Sequence, residues 1–240
     1  LAPTVGAAAL KLGGWRVTVG FPGAMALLLL LAVVRSPETL AISKRRPFDT
    51  RAIASGFREV AHIRSSMSFA FAVALISGAV SSYLSVTEQI IDQTYDRGSQ
   101  FALIFGGIAA IMAITTFTNA RLVGRFGLTT MLRVLPVIGV VLTVSIAIVS
   151  VATHGRPPFA FYVVAMSAIL GVQMFIVPNT NTAAMQPVGH LAGVASGIIG
   201  SIATVFSALL GMLVSALQTT GTNVLTVSIA VFFTVALLLI

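Results

Sequence analysis

The sequence predicts an all-α integral membrane protein, with about seven transmembrane helices plus the end of another. Three observations carry this. Of the 240 residues, 57% are hydrophobic and 8% charged, whereas a soluble domain carries roughly 25% charged residues, so lipid must solvate most of this chain. The apolar residues fall in runs of about 20, the length a helix needs to cross a bilayer. Gly, Pro and charged residues separate the runs, and a continuous apolar run in lipid must be helical because each backbone donor has to find its acceptor within the segment.

Residues 1–10 (LAPTVGAAAL) read as the last turns of a helix, and 11–16 (KLGGWR) as a short polar turn. The first complete span covers about 17–34 and contains Pro22 and Gly23. A long polar stretch, 35–66, follows, and then spans at about 67–91, 100–120, 131–152, 159–178, 191–217 and 221–240. Within the polar stretch, 50–64 (TRAIASGFREVAHIR) places Ile53, Phe57, Val60 and Ile63 at helical spacing with charges between them, the pattern of a helix lying along a membrane surface. Both ends of the sequence fall inside apolar runs, so it reads as part of a longer protein. The organisation expected is 1–34 as the end of one half, 35–66 as a basic linker and 67–240 as a six-helix half.

The basic residues orient this arrangement. Arg35, Lys44, Arg45, Arg46, Arg51, Arg58 and Arg64 lie in the long connection, and Arg121, Arg125 and Arg133 flank the next connection on that side. Lys11, Arg16, Arg97 and Arg156 lie opposite. This excess makes the 35–66 linker cytoplasmic by the positive-inside rule, and the net charge of +8 needs no nucleic-acid partner to explain it. Cysteine is absent, which excludes disulfides and thiolate metal sites. His62, His154 and His190 form no close-spaced ligand pair, and no nucleophile elbow, phosphate-binding loop or dinucleotide fingerprint occurs. Enzyme chemistry, a metal and a cofactor are therefore not expected.

The informative polar residues lie near or within the apolar runs. Glu88 and Asp92 are four apart and share a helix face. A carboxylate in hydrocarbon is costly unless paired, hydrated or protonated, so this pair suits proton or cation coupling; at headgroup depth the two would simply be hydrated. Tyr83 suits an aromatic substrate wall or a buried interhelical hydrogen bond. Gln173, deep in its run, faces either a cavity or another helix, with Met174 and Phe175 beside it as packing or lining. Pro178 and Asn179 mark the end of that span, where the Asn179 side chain can satisfy freed backbone groups. Gly189, Gly193 and Gly197 recur every four residues, a spacing that permits close helix packing.

Several of these segments together resemble the latter part of a major facilitator superfamily protein of the Bcr/CflA multidrug efflux type. Ala2-Pro3-Thr4-Val5-Gly6-Ala7, followed by Gly14-Trp15-Arg16, resembles the end of the fifth helix and the turn into the sixth. Pro3 and Gly6 there match an antiporter motif of the form G-P-x-x-G-G, with Ala2 and Ala7 replacing two glycines. Arg35-Ser36-Pro37-Glu38-Thr39-Leu40 resembles the exit into the central loop. Gln100-Phe101-Ala102-Leu103-Ile104-Phe105-Gly106 resembles the start of the eighth helix, and Pro178-Asn179 with Ala192-Gly193-Val194-Ala195-Ser196 the junction of the tenth and eleventh. In 119–127 (NARLVGRFG), Arg125 and Gly127 match the superfamily's D-R-x-G-R-like loop, while Gly124 and Leu128 depart from it.

The resemblance implies a major-facilitator-type helical bundle, of which this chain holds the tail of helix five through helix twelve, in the inner (plasma) membrane. It implies alternating access, export of hydrophobic or cationic small molecules against entering protons, and action as a monomer together with the N-terminal half. Tyr83, Glu88, Gln173, Phe175 and Asn179 are the substrate-cavity candidates. A superfamily exporter of a sugar, amino acid or other metabolite, and a non-transporting membrane scaffold, are the alternative readings.

Overall fold

The computed structural model describes residues 2–36 and 50–240, with side chains placed for 13–36 and for 55–240 apart from His190. Every element of the described residues is helical: α1 (Ala2–Arg35), α2 (Thr50–His62), α3 (Arg64–Gln89), α4 (Phe101–Phe126), α5 (Leu128–Ala152), α6 (Phe159–Met185), α7 (Ala192–Leu217) and α8 (Asn223–Leu239). Six stretches are long and apolar enough to cross a membrane: Gly13–Arg35, Arg64–Thr94, Gly98–Phe126, Leu128–Ala152, Phe159–Gly189 and Ala192–Leu217; Asn223–Leu239 is a shorter apolar helix. The chain forms two units, 1–51 and 52–240.

In the first unit, α1 is interrupted at Gly13 and Gly14, whose backbones leave helical geometry, Gly14 with φ +69°. A positive φ is tolerated at Gly because it has no Cβ. The tail and the complete span expected from sequence are thus two helices joined at the paired glycines, without the longer polar turn expected over 11–16. The apolar side chains of the second helix, Leu27 to Leu31 among them, are exposed within the unit, as suits a helix facing lipid or other helices. The linker's central residues, 37–49, including Lys44, Arg45 and Arg46, lie outside the described residues.

In the second unit, α2 is the expected amphipathic helix. Val60 is buried against Val188, Ala195 and Ile198, while Phe57, one turn earlier on the same face, is 55% exposed. The bundle centres on α3, which packs most extensively on α7 and also on α8 and α6; α5 joins α6 and α8, and α4 leans on α6. Ile76, Ile146, Met166, Ile169, Leu225, Ile229 and Phe233 fill the core between them.

The closest helix approaches occur at glycines other than those expected. A Cβ on Gly211 would lie 3.0 Å from Ser81 Cβ and 3.1 Å from its carbonyl carbon, and one on Gly139 would lie 2.6 Å from the Phe233 ring. At Gly189, Gly193 and Gly197 an added Cβ meets nothing within 4 Å. Gly189 lies in the 3₁₀ segment Gln186–Leu191, so the four-residue spacing places only Gly193 and Gly197 on one face of α7, open within the described bundle. Spacing identifies a face and not the neighbour that covers it.

Span ends also differ from the expectation. α4 runs through Arg121 and Arg125 to Phe126, and Gly127 (φ +78°) alone separates it from α5. Arginine stems lie along apolar surface while their heads reach water, so the helix continues beyond the apolar run. Likewise α6 passes through Pro178 to Met185. Pro178 has no N–H for the Met174 carbonyl, and the helix continues past it, with the Asn179 side chain donating to the neighbouring Phe175 carbonyl at 2.8 Å.

Candidate functional site

The end of the bundle away from α2 carries the acidic pair. α3 passes into a π-helical turn, Ile90–Thr94, a distortion that often accompanies functional positions. Glu88, in the last turn of α3, and Asp92, on the π-helical turn, line one cleft of about 440 Å³ with Ser85, Gln89 and Gly98. The Asp92 carboxylate lies directly over the Gly98 Cα, in space that any Cβ at 98 would occupy. Gln89 Nε2 donates to Gln93 Oε1 at 3.2 Å along the rim. Both carboxylates are exposed, and neither is held in an ion pair among the described residues. The cleft therefore presents negative charge to a cation without a built-in counter-ion.

Aromatic rings and loop hydrogen bonds brace this end. The Tyr95 hydroxyl donates to the Pro157 carbonyl at 3.0 Å, and its ring meets Phe159 edge-on at 5.1 Å. Burial pushes the Tyr95 phenol up from its ordinary 10 to about 12, because an ionised phenolate would lose its hydration there. Arg97 sits 4.5 Å from the Phe159 ring centroid and donates to Gln100 Oε1. The α5–α6 turn, where His154 and Gly155 have positive φ, is tied to the α7–α8 turn by Thr222 N–H donating to the Gly155 carbonyl at 2.9 Å. Ser150 adds bonds of 2.6 Å to Thr222 and to Asn223.

The remaining sequence-predicted residues lie elsewhere. Tyr83 is 2% exposed and stacks on Phe105 with centroids 6.1 Å apart. Gln173 is 2% exposed, and its Oε1 has no protein partner. Asn179 donates to Asn119 Oδ1 at 3.1 Å, linking α6 to α4. Phe175 is half-buried. None of these four lines the acidic cleft, and Gln173 lies about 16 Å along α6 from Tyr162 at the helical rise, so the candidates divide between a far-end cleft and the helix interfaces. Arg125 rests over the Phe126 ring at the Gly127 joint. Pro3 and Gly6 belong to α1; their side-chain surroundings lie outside the described residues.

Sequence reading did not single out Thr87, Tyr95, Asn119 or Tyr162. Thr87 follows Tyr83 by four, the same spacing that drew attention to Glu88 and Asp92, and Asn119 is an amide within an apolar helix; both patterns were available. Arg133 was read only for orientation, yet it lines a cavity of about 480 Å³ with Phe69, Thr129, Leu132 and Gln186.

Long apolar helices stacked into a bundle, with the charged side chains towards the helix ends, define a multi-pass membrane protein. The sequence profile of the Major Facilitator Superfamily matches residues 1–212, and the chain belongs to that family. It is 28% identical over 200 residues to an uncharacterized MFS-type transporter, YdgK, of Bacillus subtilis (strain 168), covering 81% of this chain and 48% of that protein. It is 23% identical over 222 residues to a bicyclomycin resistance protein homolog of Haemophilus influenzae (strain ATCC 51907 / DSM 11121 / KW20 / Rd), covering 91% of this chain and 54% of that protein. The chain thus spans about half the length of the curated relatives it matches. No solved structure matches it.

Proposed function

We propose that this chain is the tail of helix five through helix twelve of a proton-coupled drug exporter that moves hydrophobic or cationic small molecules by alternating access. The observation that carries the reading is the alignment, across 91% of the chain, with a relative named for bicyclomycin resistance. The acidic cleft supports it: Glu88 and Asp92 share one opening and have no cationic partner among the described residues, so they can attract a cation or exchange a proton with water. In this reading 1–34 ends the N-terminal half, 35–66 is a cytoplasmic linker and 67–240 is the C-terminal half, in the inner membrane of the cell. The chain works as a monomer together with the N-terminal half. Asn179, with its bond to Asn119, holds α6 to α4, and Tyr83 and Gln173 act at helix interfaces.

The test is retention of a lipophilic cationic dye by cells expressing the full-length protein. Expression lowers dye retention under this reading, and a protonophore restores it. Retention unchanged by expression across several substrate classes would remove the drug-export assignment and leave a metabolite exporter as the reading to pursue.

A further inference from the structure

The charges of 55–240 divide unevenly between the two ends of the bundle. The end that carries α2 holds Arg58, Arg64, Arg121, Arg125 and Arg133 with one carboxylate, Glu59, whereas the other end holds Arg97 and Arg156 with Glu88, Asp92 and Asp96. Arg133 stands five residues inside the apolar stretch Leu128–Ala152, about 7.5 Å of helical rise. A guanidinium at such a position is costly unless its head reaches water or an anion, and its long stem lets the head reach the headgroup level.

The cavity of about 480 Å³ that Arg133 lines has two kinds of wall. Arg133, Thr129 and Gln186 supply a cation, a hydroxyl and an amide, while Phe69 of α3, Leu132 of α5 and Leu237 of α8 supply an apolar side. The three polar residues are exposed, and none of them has an ion pair or side-chain hydrogen bond among the described residues. Among the described residues, no carboxylate lines the cavity. The helices that frame it are firmly joined, since α8 packs on both α3 and α5, and α5 on α6.

We propose that this cavity binds an anionic phospholipid of the adjoining leaflet, with its phosphate at Arg133 and an acyl chain along the apolar side. A guanidinium meets a phosphate with two parallel N–H donors, and the Thr129 hydroxyl and Gln186 amide can bond the remaining headgroup atoms. The apolar side favours a lipid over a free phosphate, because only a ligand that carries hydrocarbon removes Leu132 and Leu237 from contact with water. A zwitterionic headgroup would bring an ammonium to a cavity without a carboxylate, at the end of the bundle where arginines outnumber acids, so the charge pattern selects an anionic headgroup. The site lies at the opposite end from the acidic cleft, and binding there is independent of what the protein transports.

Native mass spectrometry of the full-length protein, released from micelles containing phosphatidylglycerol and phosphatidylcholine in equal amounts, tests the site. The wild-type protein should retain phosphatidylglycerol in preference to phosphatidylcholine, and Arg133→Gln should lower that preference about tenfold, as for loss of one charge-assisted hydrogen bond. Thr129→Trp, which obstructs the cavity from an exposed position and leaves Arg133 in place, should lower it to a similar extent. Arg58→Gln, on α2 at the same end but outside the cavity, should leave it intact. Soluble glycerophosphoglycerol, the headgroup without its chains, should not displace the lipid at equal concentration. A preference unchanged in Arg133→Gln or in Thr129→Trp, or reduced as much in Arg58→Gln, would overturn the site, and displacement by the soluble headgroup would overturn its assignment to a lipid. Should Arg133→Gln fail to fold, Thr129→Trp decides.

Discussion

Replacing Gly211 with Val should destabilise the bundle at the interface on which α3 and α7 are built. Carbon atoms pack comfortably at about 3.5–4.0 Å, yet a Cβ at 211 would lie 3.0, 3.1 and 3.2 Å from Ser81 Cβ, carbonyl carbon and carbonyl oxygen. Two of those three atoms are backbone, so the contact cannot be relieved by turning a side chain; α3 has to move away from α7, and the two γ-methyls of Val widen the required shift. Overpacking of this kind costs about 1–3 kcal/mol, and the small gain in helix propensity from Gly to Val, a few tenths of a kcal/mol on the usual scale, offsets little of it. The expected net loss is about 2 kcal/mol. The same substitution at Gly193, where an added Cβ meets nothing within 4 Å, should fall within about 0.5 kcal/mol as far as the bundle's own packing is concerned. The assay is reversible unfolding of the full-length protein in mixed micelles by increasing SDS mole fraction, followed by far-ultraviolet circular dichroism. Gly211→Val as stable as wild type would refute the close α3–α7 approach.

Further expectations follow from the same geometry. Glu88→Gln should weaken transport of cationic substrates more than neutral ones, read as initial rates in proteoliposomes; equal effects on both classes would remove Glu88 from cation handling. Asn119→Ala and Asn179→Ala, combined in a double-mutant cycle, should show coupling of about 0.6 kcal/mol, the average for interhelical hydrogen bonds in membranes, and zero coupling would mean the two amides do not bond. Tyr95→Phe should lower stability at pH 8 by roughly 0.5–1.5 kcal/mol through loss of the bond to Pro157. The Tyr95 phenol is raised to about 12 against an ordinary 10, so folding favours its neutral form. Its contribution is intact below pH 10 and declines as pH rises from 10 through 12. The gap between wild type and Tyr95→Phe should therefore narrow over that window, and a constant gap would contradict the burial argument.

The spans were legible in the sequence because hydrophobic length is a one-dimensional quantity. The run over 131–152 and the helix Leu128–Ala152 agree to within one turn, and the 67–91 run lies within the described span Arg64–Thr94. Span ends were less legible where charge or proline intervenes. Arg125 is the last basic residue of α4 rather than a loop residue, since its long stem lets the helix outlast its apolar run, and Pro178 interrupts one hydrogen bond without ending α6. Packing partners were the least legible. Gly78, Gly139 and Gly211 carry tight contacts between helices, with Leu210, Phe233 and Ser81, although they show no repeat, because a close approach depends on what the facing helix places opposite. The Gly189, Gly193 and Gly197 repeat was visible but has no neighbour within the described bundle. That Glu88 and Asp92 share a face was legible from their i,i+4 spacing, whereas the bond of Asn179 to Asn119 depends on how α6 and α4 are juxtaposed, which no local pattern records.

The most direct test of the transport account is proton movement in liposomes containing the full-length protein and an internal pH-sensitive dye, after addition of a lipophilic cation. The account predicts that the cation triggers proton flux, and that Glu88→Gln diminishes it. No proton movement from a protein shown to be folded and inserted would contradict proton-coupled export.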